Sequence, residues 1–367
     1  MFDSSKRMLA PFVLLVASPF VVADTIYLVD GKTIADITIQ TEHLLEVTYK
    51  DGNNEKTVAS DKVLAIDYDR MPKVLDRAET SVKEGFYEDA AIDFDEYVTE
   101  VLDSDKPLTR YRWSTAHAMN RLVELSSAVG DHAVTVKAAD RLIEKAPDSR
   151  HLPSAYLKKA EAVRLLGKAG DAVKIVDQFS AVIADKGLSN RWKLECDLAR
   201  LIYDDTVQKG QRKKGLEEIV SGAGSKYPVV RNRARVAIGE GYLAANDLKG
   251  AEATFGEVTA DPKADDRTLA AAFTGLGDCL YQRGVSLNEA GKDGGEILQQ
   301  AIISYMRVAV VYKSQVLYTP KAMFYAGRCY AQFQDAQSQE REQRLYTAVL
   351  REFAGTTWAS EASGFRK

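Results

Sequence analysis

The chain has 367 residues, 46% of them hydrophobic and 28% charged, with a formal net charge of −4 and three cysteines. This composition belongs to a soluble globular protein and excludes a collagen-like, disordered or disulfide-stapled chain: Gly and Pro are modest, apolar residues plentiful and Cys nearly absent. Mild acidity also speaks against a dedicated nucleic-acid binder, whose phosphate contacts need a basic face.

Lys6 and Arg7 precede an apolar run from Leu9 to Val22 that ends in Val21-Val22-Ala23 before Asp24. A charged start, a short apolar stretch and a small-residue end predict a secretory signal peptide over residues 1–23. The run holds Pro11 and Pro19 and is shorter than the roughly 20 apolar residues of a spanning helix. No transmembrane segment is therefore expected after cleavage, and peripheral envelope association is the remaining membrane contact. Export to the periplasm or beyond permits disulfides. Cys196, Cys279 and Cys329 are widely spaced in helical-looking segments, so buried small hydrophobes are the expected role. A Cys279 to Cys329 bridge is the one pairing to check.

Residues 24–70 show period two: Thr25 to Val29, then Ile34, Ile37 and Ile39, then Leu45, Val47 and Tyr49, then Val58, then Val63 to Tyr68. β-branched and aromatic residues dominate, and Asp30-Gly31 and Asp51-Gly52 supply hairpin turns, predicting about five short strands. So small a strand set buries a core only by curling into a barrel or leaning on a neighbour. With Leu28-Val29-Asp30-Gly31-Lys32 as its first hairpin, the module resembles the SH3-like or Sm-like barrels that precede helical repeats in some exported bacterial proteins.

From Pro72 onward the chain is Ala-rich and helical, and a repeat runs through it. The segment opening at Arg233 carries Gly239, Tyr242, Asn246, Ala251, Phe255 and Val258, then Pro262. The same register places Ala78, Gly85, Tyr87, Ala90 and Phe94 in a first copy and Val123, Gly130, Thr135, Ala139 and Leu142 in a second. Tyr156, Ala160, Gly167, Ala172, Val176 and Phe179 make a third, and a degenerate fourth has Tyr203, Gly210, Gly215 and Ile219. Gly277, Leu280, Gly284, Ala301, Tyr305 and Val308 form a sixth, extended around Gly291 to Gly295, and Ala326-Gly327 and Tyr330 open a seventh. Small residues let two helices of a hairpin approach closely, and the aromatic fills the gap between them.

These offsets resemble the tetratricopeptide repeat, over residues 71–367 in about seven hairpins. The predicted fold class is therefore mainly α: an α-solenoid preceded by the β module. Ala146-Pro147-Asp148-Ser149 and Phe353 to Ala362 are similar to linkers of the Tol-Pal-associated periplasmic and BamD-type exported repeat proteins. The lipoprotein cysteine of the latter is missing here, and Ala354 stands where Pro is usual.

No HExxH, GxxxxGK[ST], GxSxG or GxGxxG occurs, so an enzyme, a cofactor or a metal site is not expected. His43, His117, His132 and His151 are scattered, without i, i+4 partners for a metal. Asp93, Asp95 and Glu96 lie on an amphipathic helix and read as a solvated face. Lys209, Arg212, Lys213 and Lys214, and then Arg231, Arg233 and Arg235, read first as solvated surface and second as contacts for an acidic partner or anionic lipid.

The resemblance implies a superhelix whose inner groove is lined by the first helix of each repeat. Carrying its groove positions over gives Glu161 and Arg164 in the third copy, Arg233 and Glu240 in the fifth, Asp278 and Tyr281 in the sixth, and Lys321, Phe324 and Arg328 in the seventh. Mixed charge with interleaved aromatics suits capture of a protein or peptide segment. The expected function is a non-enzymatic cell-envelope scaffold that binds protein and no nucleic acid. The alternative is a cell-wall or polysaccharide binder that works through the β module, with the repeats as spacer.

Overall fold

The structure is a computed structural model and describes residues 23–104 and 111–365. Apart from Ala23, the signal-peptide segment lies outside the described residues.

Alternating β-branched residues build five strands: β1 (Asp24–Leu28), β2 (Thr33–Glu42), β3 (Glu46–Asp51), β4 (Asn54–Ala59) and β5 (Val63–Asp67). They form one antiparallel sheet in the order β4-β3-β2-β1-β5. Ile26, Ile37, Ile39, Val47 and Tyr49 are buried on its inner face. Gly31 and Gly52 turn the first and third hairpins at φ of +85° and +61°, a region that other residues enter only with strain. A 3-10 turn over Ser60–Lys62 then brings β5 back to pair with β1.

Among the described residues fifteen helices follow. Fourteen of them make seven antiparallel hairpins. The first three pairs are α1 (Lys73–Glu84) with α2 (Tyr87–Leu102), α3 (Ser114–Val129) with α4 (His132–Lys145), and α5 (Leu152–Leu165) with α6 (Ala169–Lys186). Next come α7 (Asn190–Tyr203) with α8 (Lys209–Ala223), and α9 (Pro228–Ala244) with α10 (Leu248–Thr259). The last pairs are α11 (Asp266–Glu289) with α12 (Gly295–Val311), and α13 (Thr319–Tyr330) with α14 (Ala336–Glu352), closed by α15 (Thr357–Ser363). Boundaries follow local chemistry: Asp131, Asp247, Asp265 and Asp335 accept hydrogen bonds from the first-turn amides of α4, α10, α11 and α14. Prolines stand at the first turns of α5, α9 and α13, where no backbone donor is needed. From α3 to α13 each odd-numbered helix also touches the next odd one, so the odd helices form the tighter, inner layer of the array.

Glycines set the spacing of this layer. A Cβ at Gly277 would stand 2.6 Å from the Tyr305 ring, and one at Gly327 2.6 Å from the Tyr346 ring. Phe255 fills two such notches at once, since a Cβ at Gly239 or Gly275 would come within 2.7 or 2.4 Å of its ring. In the fourth hairpin, where Tyr203 holds the register of the small residue, Gly215 carries the close approach, 2.8 Å from Leu201. The sixth hairpin is longer than its neighbours because α11 itself runs to 24 residues, and the glycine-rich segment after it is a short turn. Cys196, Cys279 and Cys329 are all buried and free, so the pairing of Cys279 with Cys329 does not form.

The β module and the helices share one core. Tyr68, just after β5, stacks on Trp113 at the start of α3, with centroids 3.6 Å apart and planes 12° from parallel. Backbone joins follow the chain past β2: Leu44 N–H donates to the Asp148 carbonyl (2.6 Å), and His43 forms a bridge with Ser149. Buried Glu42 accepts from both Tyr68 and Arg150.

Candidate functional site

The odd helices present the inner face, and there Glu161 (α5), Arg164 (α5), Arg233 (α9) and Glu240 (α9) do converge. With Tyr203, Arg267 and Tyr318 they surround a cavity of about 110 Å³. Their charges are mostly engaged with one another. Glu161 pairs with Arg267 across 106 residues of sequence, and Arg233 pairs with buried Glu195 of α7. The Arg164 guanidinium lies 5.2 Å from the Tyr203 ring centre, while Glu240 remains exposed at the mouth.

The remaining five positions divide between a further ion pair, Asp278 with Lys321, and aromatic packing by Tyr281, Phe324 and Arg328. Asp278 is 7% exposed and accepts from Tyr305 Oη (2.7 Å) and Lys321 Nζ (2.5 Å). Tyr281 meets Tyr325 edge-on at 5.4 Å. Phe324, expected as an apolar anchor on the groove surface, is instead a core residue, 5% exposed among Tyr325, Tyr346 and Trp358. Arg328 covers the Phe365 ring at 4.4 Å. The other charge clusters are paired too: Arg231 and Asn232 donate to Asp261, Arg235 pairs with Glu257, and Asp93 and Asp95 pair with Arg77 and Arg141.

Burial opposes ionisation of Glu161, but the nearby Arg267, Lys158 and Arg233 charges overcome it and hold the carboxyl at about 2. A depressed carboxylate stabilises the fold above its unfolded value of 4.5, and that stability is lost as pH falls toward 2. The expected loss is about 3 kcal/mol. Urea titrations at several pH values should give Glu161→Gln lower stability at pH 7 and a shallower fall below pH 4.5 than the parent chain; equal slopes would refute the assignment.

A larger cleft lies toward the N-terminal end, which motif reasoning missed. It measures about 470 Å³ and is bounded on one side by residues 63–68 and on the other by α1, α3, α7 and the start of α5. Glu79 binds Arg121 (2.8 and 3.1 Å) and His117 Nε2 (3.0 Å), and Arg121 also binds Glu124 (2.5 Å). Burial raises the Glu79 carboxyl, but the His117 hydrogen bond and the Arg121 charge outweigh it and leave it lowered. His151 is 7% exposed, with Nε2 lacking a hydrogen-bond partner among the described residues and 3.8 Å from Glu42. Burial, then Arg150 and His117, push this imidazole far down, so it is neutral. Arg191 lies over Trp192 (4.6 Å) and donates to the Asp61 carbonyl (3.2 Å). Spacing gave no signal for it: the second and third copies are offset by 37 residues, Gly130 to Gly167, whereas His117 and His151 are 34 apart and hold different places, His117 within α3 and His151 at the N-cap of α5.

Among the described residues no group of His, Cys, Asp and Glu side chains is placed to hold a metal ion, and no helix is long and apolar enough to cross a membrane.

No protein-family model and no curated protein matches the chain. Similar solved structures include a tetratricopeptide repeat protein from Parabacteroides merdae, 10% identical, covering 80% of this chain and 95% of that one with a TM-score of 0.45. A signal-transduction ATPase with a tetratricopeptide repeat sensor from Pyrococcus horikoshii is 12% identical over 79% of this chain and 42% of that one, with a TM-score of 0.46. Human IFIT1, solved as a dimer with m7Gppp-AAAA, is 13% identical over 75% of this chain and 58% of that one, with a TM-score of 0.42.

Proposed function

We propose that this chain is an exported, non-catalytic adaptor of the tetratricopeptide-repeat type that receives a segment of a partner protein on its inner face. The observation that carries the reading is the cleft of about 470 Å³ between the β module and the odd-numbered helices. Its walls combine fixed charge with aromatic surface, the composition of a specific protein-binding patch. The leader-like residues 6–23 support a periplasmic or secreted site of action. The SH3-like or Sm-like reading of the β module belongs to the same proposal.

The polysaccharide reading treats the β module as a separate unit and the repeats as spacer. The Tyr68–Trp113 stack and the Glu42–Arg150 pair weigh against a detachable module, since residues 24–69 alone would expose that face.

The test is a photo-crosslinking amino acid placed at Lys83 or Arg191 in the cleft, or at Lys174 on the outer helix α6, in the native host. The cleft positions should trap a defined partner protein that Lys174 does not. Equal yields from all three positions would overturn the adaptor reading.

A further inference from the structure

We propose that β5 is an acceptor edge, to which an extended partner segment carrying a basic residue adds as a further strand inside the cleft. The proposal rests on the adaptor reading and specifies how that segment is held.

Hydrogen-bond directions along β1 set the geometry. Leu28 N–H donates to the Lys32 carbonyl (2.8 Å), on the β2 side, while Val29 N–H donates to the Lys62 carbonyl (3.0 Å), on the β5 side. Alternation then turns the backbone groups of Thr25 and Tyr27 toward β5, where their register partners are Asp67 and Ala65. Asp69 N–H also points back to β1, donating to the Asp24 carboxylate (2.9 Å). Residues 65, 67 and 69 thus bond inward. The N–H and C=O of Ile66 and the N–H of Tyr68 point to the other edge, which among the described residues has no strand neighbour and runs along the cleft wall.

Exposed edges of this kind are usually guarded by Lys, Pro, a bulge or a covering element. β5 contains neither Lys nor Pro, and its register shift falls at Leu64, upstream of Ile66. Main-chain donors and acceptors fix an added strand, while side-chain surroundings choose its sequence. Here Asp67 and Asp76 make no ion pair among the described residues, Glu79 and Glu124 share Arg121, and Arg150 is neutralised by Glu42. The accessible cleft therefore holds four carboxylates against Lys83, Arg121 and Arg191, which favours a basic side chain. On its floor the unpartnered Nε2 of His151 is a buried polar atom waiting for a donor or acceptor.

The test selects phage-displayed random peptides of roughly twelve residues, about two strand lengths, against the full chain. Bound peptide should slow amide exchange at Ile66 and Tyr68. Ile66→Pro deletes the outward N–H and no ladder bond, as edge positions allow, and should weaken binding about tenfold. Ile66→Ala keeps the N–H and should stay within about threefold. The near-ultraviolet circular dichroism of the Tyr68–Trp113 stack checks that both variants are folded, and exchange on the unsubstituted chain gives the answer if one is not. Peptides that protect α9 to α13, or that bind Ile66→Pro undiminished, would overturn strand addition and leave the adaptor reading intact. A selection yielding no inner-face binder would overturn both. Concentration-dependent dimers that slow the same two amides without peptide would overturn the proposal and assign the edge to a second copy of this chain.

Discussion

Arg150→Ala should lower the unfolding free energy by about 3–5 kcal/mol, the range for removing one member of a buried ion pair. Glu42 is 2% exposed at its side chain and Arg150 12%. Without the guanidinium, the carboxylate keeps, among the described residues, only the Tyr68 hydroxyl as a direct hydrogen-bond partner, beside a neutral His151, and stays out of water. The cost comes from the stranded charge, so removing both charges should be far milder: Glu42→Leu with Arg150→Met is expected to regain most of the loss. Urea unfolding at pH 7 measures each variant. An Arg150→Ala chain within about 1 kcal/mol of the parent would mean the pair behaves as a surface contact and that the β module is not locked to α5.

Phe255→Ala should cost a similar amount, about 3–5 kcal/mol for a fully buried aromatic. Phe255 is 0% exposed and fills the notches made by Gly239 in α9 and Gly275 in α11, so truncation leaves a void between two hairpins. The geometry also predicts a reversal of sign. Alone, Gly275→Ala brings a methyl to within 2.4 Å of the ring and should destabilise, because that ring has nowhere to move. In the Phe255→Ala background the same methyl enters the void, and alanine also suits a helix interior better than glycine by about 1 kcal/mol. There it should stabilise. A four-chain urea comparison in which Gly275→Ala has the same effect in both backgrounds would refute this account.

Features set by neighbours along the chain were legible in the sequence. Period two marked Ile26, Ile37, Ile39 and Val47 as the inner face of the sheet, and the repeat register put Gly239 and Gly277 opposite Phe255 and Tyr305. Both follow from fixed local geometry. The register also identified the helix face to which Glu161, Arg164, Arg233 and Glu240 belong. It carried no information on which charges would meet, since Glu161 reaches Arg267 only through the curvature of three hairpins. Phe324 was misread because a helix turning one face to the groove and another to the next hairpin offers large apolar residues to both. The cleft escaped notice for the same reason: Glu42 and Arg150 are 108 residues apart, and no local pattern records that the β module leans on α3 and α5.

The tie between Glu161 and Arg267 has a mechanical side. Helical-repeat arrays ordinarily behave as chains of neighbouring units, each yielding separately. Here the third and sixth hairpins are joined directly, and Gly130 lies close to Val316 beyond them, so the fourth and fifth hairpins are spanned like the coils of a spring strapped shut. A pull on the two ends loads the strap before it loads any hairpin. Stretched singly, the molecule should resist with little extension and then lengthen abruptly, whereas Glu161→Gln should let it pay out gradually from the start.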